Sequence, residues 1–306
     1  MPFATSFAIF QSCNVTGVSK KHKISHVSTS SFLSDRTQFP FFLRTAPSDA
    51  FQSKGLAQLL LHFQWNWVGM IADSNDYGYQ GIQGVRQEFI KSGACVEFLE
   101  YVQSSRPDRN IPRIIQTIKN SRAKTVVIFA TDVDIILLFE EFLHNNITDK
   151  LWVASEGWAT SNLLSFERYY NLLKGTLGFT YSSERILGFE DFIKDLNFSK
   201  ISEFWDVMFW EEIIGCSFLD FTNINFNRES LNKNCTEDDT LEPFQLSLNN
   251  ISNHGHLYNL YNAIYVIANA MHDLNLCRVG EGPFLNGSCS DTSNLNPWQV
   301  RNLYLK

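Results

Sequence analysis

Residues 51–180 alternate two hydrophobic periods, and that alternation leaves few folds open. Residues 125–130 (TVVIFA) are almost continuously apolar and too short for an ordinary buried helix, so they predict a strand covered on both faces. Residues 67–72, 96–102, 151–154 and 176–179 predict further strands. Helical spacing lies between them. Residues 51–63 place Leu56, Leu59, Leu60 and Phe63 on one face. Residues 80–92 place Ile82, Val85, Phe89 and Ile90 inward and end at Gly93. Residues 111–120 bury Ile114, Ile115 and Ile118. A helix over 132–145 is open to capping by Thr131 or Asp132. Strands that are apolar throughout and separated by helices predict an α/β fold, a doubly wound parallel sheet.

Pattern is weaker beyond residue 180. Residues 185–215 read as helical and aromatic, 223–252 as a polar, Asn-rich loop or insertion, and 256–274 as a long apolar helix. Pro297 starts another helix. A chain of 306 residues has room for two lobes or domains. A net charge of −7 provides no basic face for nucleic acid. No apolar run approaches the ~20 residues of a membrane span. The N-terminal MPFATSFAIFQSC lacks the basic start of a signal peptide.

Cys277 and Cys289 bracket RVGEGPFLNGS, a Gly/Pro/Asn loop that a disulfide could close. Glycosylation acceptors stand at Asn14, Asn146, Asn197, Asn234, Asn250 and Asn286. A reduced intracellular protein with accidental acceptors is the other reading of these features.

Catalytic signatures are missing. Gly78, Gly81 and Gly84 follow a strand and open a helix, but their spacing is not that of a phosphate loop, so they predict close helix packing. His254 and His256 have no ligand partners at metal spacing, and no GxSxG, HExxH or CxxC occurs. No catalytic residue, metal or cofactor is expected. What remains is polar chemistry at strand ends: the hydroxyl turn Ser28-Thr29-Ser30-Ser31, Tyr77 and Glu156. In a parallel sheet the C-terminal strand ends share one edge, so Tyr77 and Glu156 can face one cleft. A carboxylate and a phenol suit an ammonium, while hydroxyls and turn N–H groups suit a carboxylate. Each residue also reads as an ordinary helix or turn cap.

Eight segments carry a family resemblance: ISHVSTSSFLSDRTQFPFFLRTAPSD (24–49), QWNWVGMIADSNDYG (64–78), NNITDKLWVASEGW (145–158), GTLGF (175–179), WEEIIGC (210–216), YNLYNAIYVIANAMHDL (258–274), FLNGSCSD (284–291) and PWQV (297–300). In order and content they resemble the extracellular ligand-binding module of family C G-protein-coupled receptors. The resemblance is strongest to the group holding the calcium-sensing and vomeronasal type 2 receptors, with the aromatic filler favouring the latter. It implies a bilobed, periplasmic-binding-protein-like (type I) Venus-flytrap fold that closes on an amino acid or peptide. Residues 1–22 are unmatched, 23–46 are a partial lobe 1, 47–180 are lobe 2, and 181–306 return to lobe 1 with a disulfide-bearing insertion at 216–252.

By the same resemblance Thr29, with Ser28 beside it, meets the α-carboxylate, Asp49 is the interlobe acid, and Tyr77 and Glu156 meet the amino group. Cys216–Cys235 and Cys277–Cys289 are the implied disulfides. Cys95 matches a cysteine whose partner lies in a cysteine-rich domain beyond this segment, and Cys13 has no counterpart.

The implied receptor sits in the plasma membrane with this region outside, pairs as a homo- or heterodimer, and meets its G protein through a membrane domain absent here. The first strands of lobe 1 are also absent, so the chain is expected to be a receptor fragment unable to signal alone. A soluble periplasmic-type binding protein is the alternative, and an α/β enzyme is a third reading that lacks a motif.

Overall fold

The computed structural model describes residues 23–189 apart from 41, 104–109 and 165, then 191, 192, 207, 211, 214, 216, 235, 236 and 255–289. The helix expected over 297–306, nearly all of the 223–252 loop and the acceptors Asn14, Asn197, Asn234 and Asn250 lie outside the described residues. So does Cys13, and most of 185–215.

Five strands form one parallel sheet: β3 (Trp67–Asp73), β4 (Cys95–Val102), β5 (Thr125–Phe129), β6 (Leu151–Ala154) and β7 (Leu177–Gly178), in the order β4-β3-β5-β6-β7. A separate parallel pair joins β1 (Lys23–Ser25) to β2 (Phe42–Arg44). Helices α1 (Asp49–His62), α2 (Asp76–Lys91), α3 (Ile111–Asn120) and α4 (Asp132–His144) alternate with β3, β4, β5 and β6. Two short helices, α5 (Glu156–Ala159) and α6 (Tyr170–Leu173), precede β7, and α7 (Gly255–Asn275) is the long C-terminal helix. The α/β, parallel architecture expected from the sequence is what forms.

Every residue of β5 is buried, because alternate side chains feed two different cores. Val126 and Ile128 pack with Ile114, Ile118, Leu138, Phe142 and Trp152 on one face. Val127 and Phe129 pack with Leu56, Leu60, Ile82, Val85 and Phe89 on the other. The three glycines of α2 allow close approach. A Cβ on Gly78 would lie 2.4 Å from Asp73 O, on Gly81 2.0 Å from the Phe129 ring, and on Gly84 2.8 Å from Ser53 Oγ.

Three expectations need correction. Phe63 is exposed, outside α1, and stacks on Trp65, because the helix ends at His62. Ile90 is also exposed, one residue past Phe89 and turned off the buried stripe. Thr131 occupies the N-cap of α4, but its hydroxyl donates to Asp134 Oδ2 at 2.9 Å instead of accepting a backbone N–H.

Contacts divide the chain into two compact units, residues 1–181 with 262–306, and residues 182–261. The disulfide Cys277–Cys289 lies in the first and Cys216–Cys235 in the second. Cys95 is exposed and unbridged. Asn146 and Asn286 are exposed, each with a left-handed backbone, φ 51° and 58°.

Glu97 ties the N-terminal end of the sheet together. Its carboxylate accepts from Trp67 Nε1 on β3 and from Ser121 Oγ, Arg122 N and Ala123 N in the loop before β5, at 2.6–3.0 Å. Burial opposes the charge, but these bonds outweigh it and bring the carboxyl down to about 2. A depressed folded pKa stabilises above the unfolded value and is lost as pH falls through about 2. Glu97→Gln is expected to cost about 1 kcal/mol at pH 7, a modest figure because solvent screens the group. Urea unfolding at pH 7 and pH 2 checks it: the gap from wild type closes at pH 2.

Candidate functional site

The C-terminal ends of β3, β6 and β7 deliver one polar cluster. Tyr77 follows β3 in the first turn of α2, Glu156 follows β6 as the first residue of α5, and Tyr181 lies three residues past β7. The Tyr77 phenol donates to Glu156 Oε1 at 3.1 Å and lies 3.2 Å from Ser155 Oγ. Its ring rests against Phe129, centroids 4.8 Å apart, so the β5 core sets its direction. A Cβ on Gly157 would come within 2.6 Å of Ala130 O and 3.0 Å of Tyr77 Oη, so this position must be bare for the phenol to reach Glu156.

Asp49 enters from α1. Its N–H donates to Thr29 O at 2.9 Å. Gln52, one turn along, donates to Asp49 Oδ1 at 3.2 Å and accepts from Glu156 N at 2.7 Å. Tyr181 is buried close enough to Glu156 and Asp49 for their charges to act on its phenol. Thr29, Asp49, Tyr77 and Glu156 thus form one connected cluster, and Thr29, Asp49 and Glu156 are each at least 92 % buried. Ser28 is half-buried and contributes its backbone, its carbonyl accepting from Arg44.

Pattern reading missed Gln52, Ser155, Tyr181 and Arg44. Gln52 stands three residues after Asp49 on the same helix face, Ser155 directly precedes Glu156, and Tyr181 follows a predicted strand. The strand-end rule that selected Tyr77 and Glu156 would have selected Ser155 and Tyr181. Nothing in the sequence pairs Arg44 with a turn some fifteen residues before it.

Two buried acids share this cluster. Burial pushes Asp49 up to about 6, against hydrogen bonds from Thr29 and Gln52 and the charge of Arg44. Burial and then the nearby charge of Asp49 push Glu156 up to about 7, against hydrogen bonds from Tyr181 and Tyr77. Both tyrosines are raised, first by burial and next by Glu156, so the phenols stay protonated donors. Acids so placed lose their protons less readily than exposed ones, and a cation beside them would favour their ionisation.

At the adjoining end of β3, Asp73 is fully buried and accepts from Thr131 N at 2.8 Å. Burial and then the charge of Asp134 raise it to about 8. A raised folded pKa gives stability that is complete below the unfolded value and is lost as pH rises through the folded one. The chain alone is therefore expected to lose thermal stability steadily from about pH 4 through pH 8. Asp73→Asn should flatten the upper part of that decline, as read by melting temperature against pH, and a wild-type profile that rises over this window contradicts the assignment.

The family model described as "Receptor family ligand binding region" matches residues 12–306. The human "Extracellular calcium-sensing receptor" is 34% identical over 306 residues, covering 94% of this chain and 28% of the receptor. The mouse receptor of the same name is 33% identical over the same shares. "Taste receptor type 1 member 2" of Papio hamadryas is 29% identical over 290 residues, 91% of this chain and 31% of that protein. The chain spans less than a third of the length of these relatives.

Proposed function

Because the chain belongs to the receptor family ligand-binding region, as found in family C G-protein-coupled receptors, we propose that it senses amino acids or peptides as the ligand-binding part of a chemosensory, vomeronasal type 2-like receptor. The observation that carries this reading is the meeting of two buried acids, Asp49 and Glu156, with the Thr29 hydroxyl and the phenols of Tyr77 and Tyr181.

The ligand ammonium lies against Glu156 and Asp49, where Tyr77 holds the Glu156 carboxylate and Gln52 that of Asp49. The α-carboxylate takes the Thr29 hydroxyl and the N–H groups of the 28–31 turn. With Thr29 on a lobe 1 segment (23–46) and Tyr77 and Glu156 on a lobe 2 segment (47–180), a ligand joining both ends favours the closed state. It shifts that equilibrium only by its differential affinity for closed over open. No step of this cycle makes or breaks a covalent bond, so the region acts as a receptor and not as an enzyme.

The region faces outside the plasma membrane, where its disulfides persist and Asn146 and Asn286 are accessible for glycosylation. Paired receptors pass closure to a G protein through a membrane domain beyond this segment.

A receptor built around this region and coupled to an intracellular calcium reporter tests the site. Glu156→Ala and Tyr77→Ala are expected to abolish responses to L-amino acids while surface expression persists. Unchanged potency in both would sink the assignment. Wild-type responses should strengthen from pH 5.5 to 7.5, because an ammonium binds the ionised forms of Asp49 and Glu156, whose carboxyls titrate at about 6 and about 7.

A further inference from the structure

Arg44 ends β2 with its guanidinium under the hydroxyl turn. Nη1 lies 3.3, 3.0 and 2.8 Å from the carbonyl oxygens of Ser28, Thr29 and Ser30, and Nη2 donates to Ser34 Oγ. Three consecutive carbonyls thus converge on one cation. The start of the turn is fixed separately. Ser25 Oγ accepts from Val27 N at 3.4 Å and Ser28 N at 3.0 Å, and Ser25 pairs with Arg44 across the β1–β2 ladder.

Every peptide bond among the described residues is trans. In a trans peptide the N–H leaves opposite the C=O. Carbonyls gathered on Arg44 therefore send the N–H groups of Thr29, Ser30 and Ser31 away from it. Neither the Thr29 nor the Ser30 N–H is taken up by another group among the described residues. Successive free N–H groups aimed to one side form a concavity for an anion.

We propose that Arg44 is a positioning residue for the ligand carboxylate: by holding the Ser28, Thr29 and Ser30 carbonyls on one side of the turn, it presents the N–H groups of Thr29, Ser30 and Ser31 on the other. The proposal rests on the amino-acid reading of the site. Arg44 does not touch the ligand. Its own charge is spent on three carbonyls, and its effect reaches the carboxylate through the peptide planes. A lysine ammonium has three donors for the same carbonyls but no second nitrogen for Ser34, so it substitutes in part.

The test compares the 306-residue chain, expressed with an added secretion signal, as wild type, Arg44→Met, Arg44→Lys and Ser34→Ala, by calorimetric titration. One titrant is an equimolar mixture of the proteinogenic L-amino acids, and the other is the matching mixture of their carboxamides, which keep the ammonium but lack the carboxylate. Wild type is expected to prefer the free acids by about tenfold. Arg44→Met should bring the ratio near one, with carboxamide affinity changed less than about twofold, because the loss falls on the carboxylate alone. Arg44→Lys should give an intermediate ratio, and Ser34→Ala a drop of about twofold to threefold.

A residue needed only for folding lowers both affinities together and leaves the ratio alone. A wild-type ratio in the Met and Lys variants overturns the role of Arg44 while amino-acid binding stands. A wild-type chain that binds neither mixture overturns both readings. Should Arg44→Met fail to fold, a wild-type ratio in both Arg44→Lys and Ser34→Ala overturns the proposal.

Discussion

Burial of both faces of the central strands governs what the rest of this fold can do. β3 and β5 alternate their side chains between two hydrophobic cores, so neither strand has a face left for polar chemistry. Polar side chains can emerge only where strands stop. All connections being parallel, the C-terminal stops fall on one edge, and β3, β6 and β7 deliver Tyr77, Glu156 and Tyr181 there. The site is a consequence of the packing: Phe129, a core residue of β5, is the surface that aims the Tyr77 ring.

That edge carries an electrostatic burden which packing alone does not relieve. Asp49 and Glu156 are buried within each other's field, and Gln52 holds them together by donating to one carboxylate and accepting from the backbone of the other acid. Replacing both acids by apolar residues would suit stability. Both acids hold their protons more tightly than exposed ones, and an ammonium bound beside them would favour ionisation, more so because protein and not water surrounds them.

Much of this was legible in sequence, and the unread part has physical reasons. The hydrophobic pattern located every strand of the main sheet and its four long helices; most of these bury a full stripe or both faces, and the exposed two-residue β7 is the exception. The three-residue strand β2 escaped, since three residues carry no period. Phe63 and Ile90 were read as buried because they continue an apolar run, but a helix stripe is narrower than the run, and one residue past it faces water. Within the site, residues at strand ends could be found by rule. The bonds that join Thr29 to Asp49, and Arg44 to the turn, depend on where β1 and β2 pair, and pairing is a tertiary fact.

The two poles of the site are built by different means, and this gives it an orientation. The acidic pole is made of side chains, Glu156 and Asp49, whose charge depends on what lies beside them. The opposite pole is backbone, a turn whose donors cannot titrate and whose direction is fixed by Ser25 at one end and Arg44 at the other. On the proposed reading a zwitterion fits one way round, ammonium to the acids and carboxylate to the turn. Reversed, its carboxylate would meet two acids, and its ammonium would meet N–H donors. Asp49 donates its N–H to Thr29 O, so the acid and the turn are bonded to each other through the backbone.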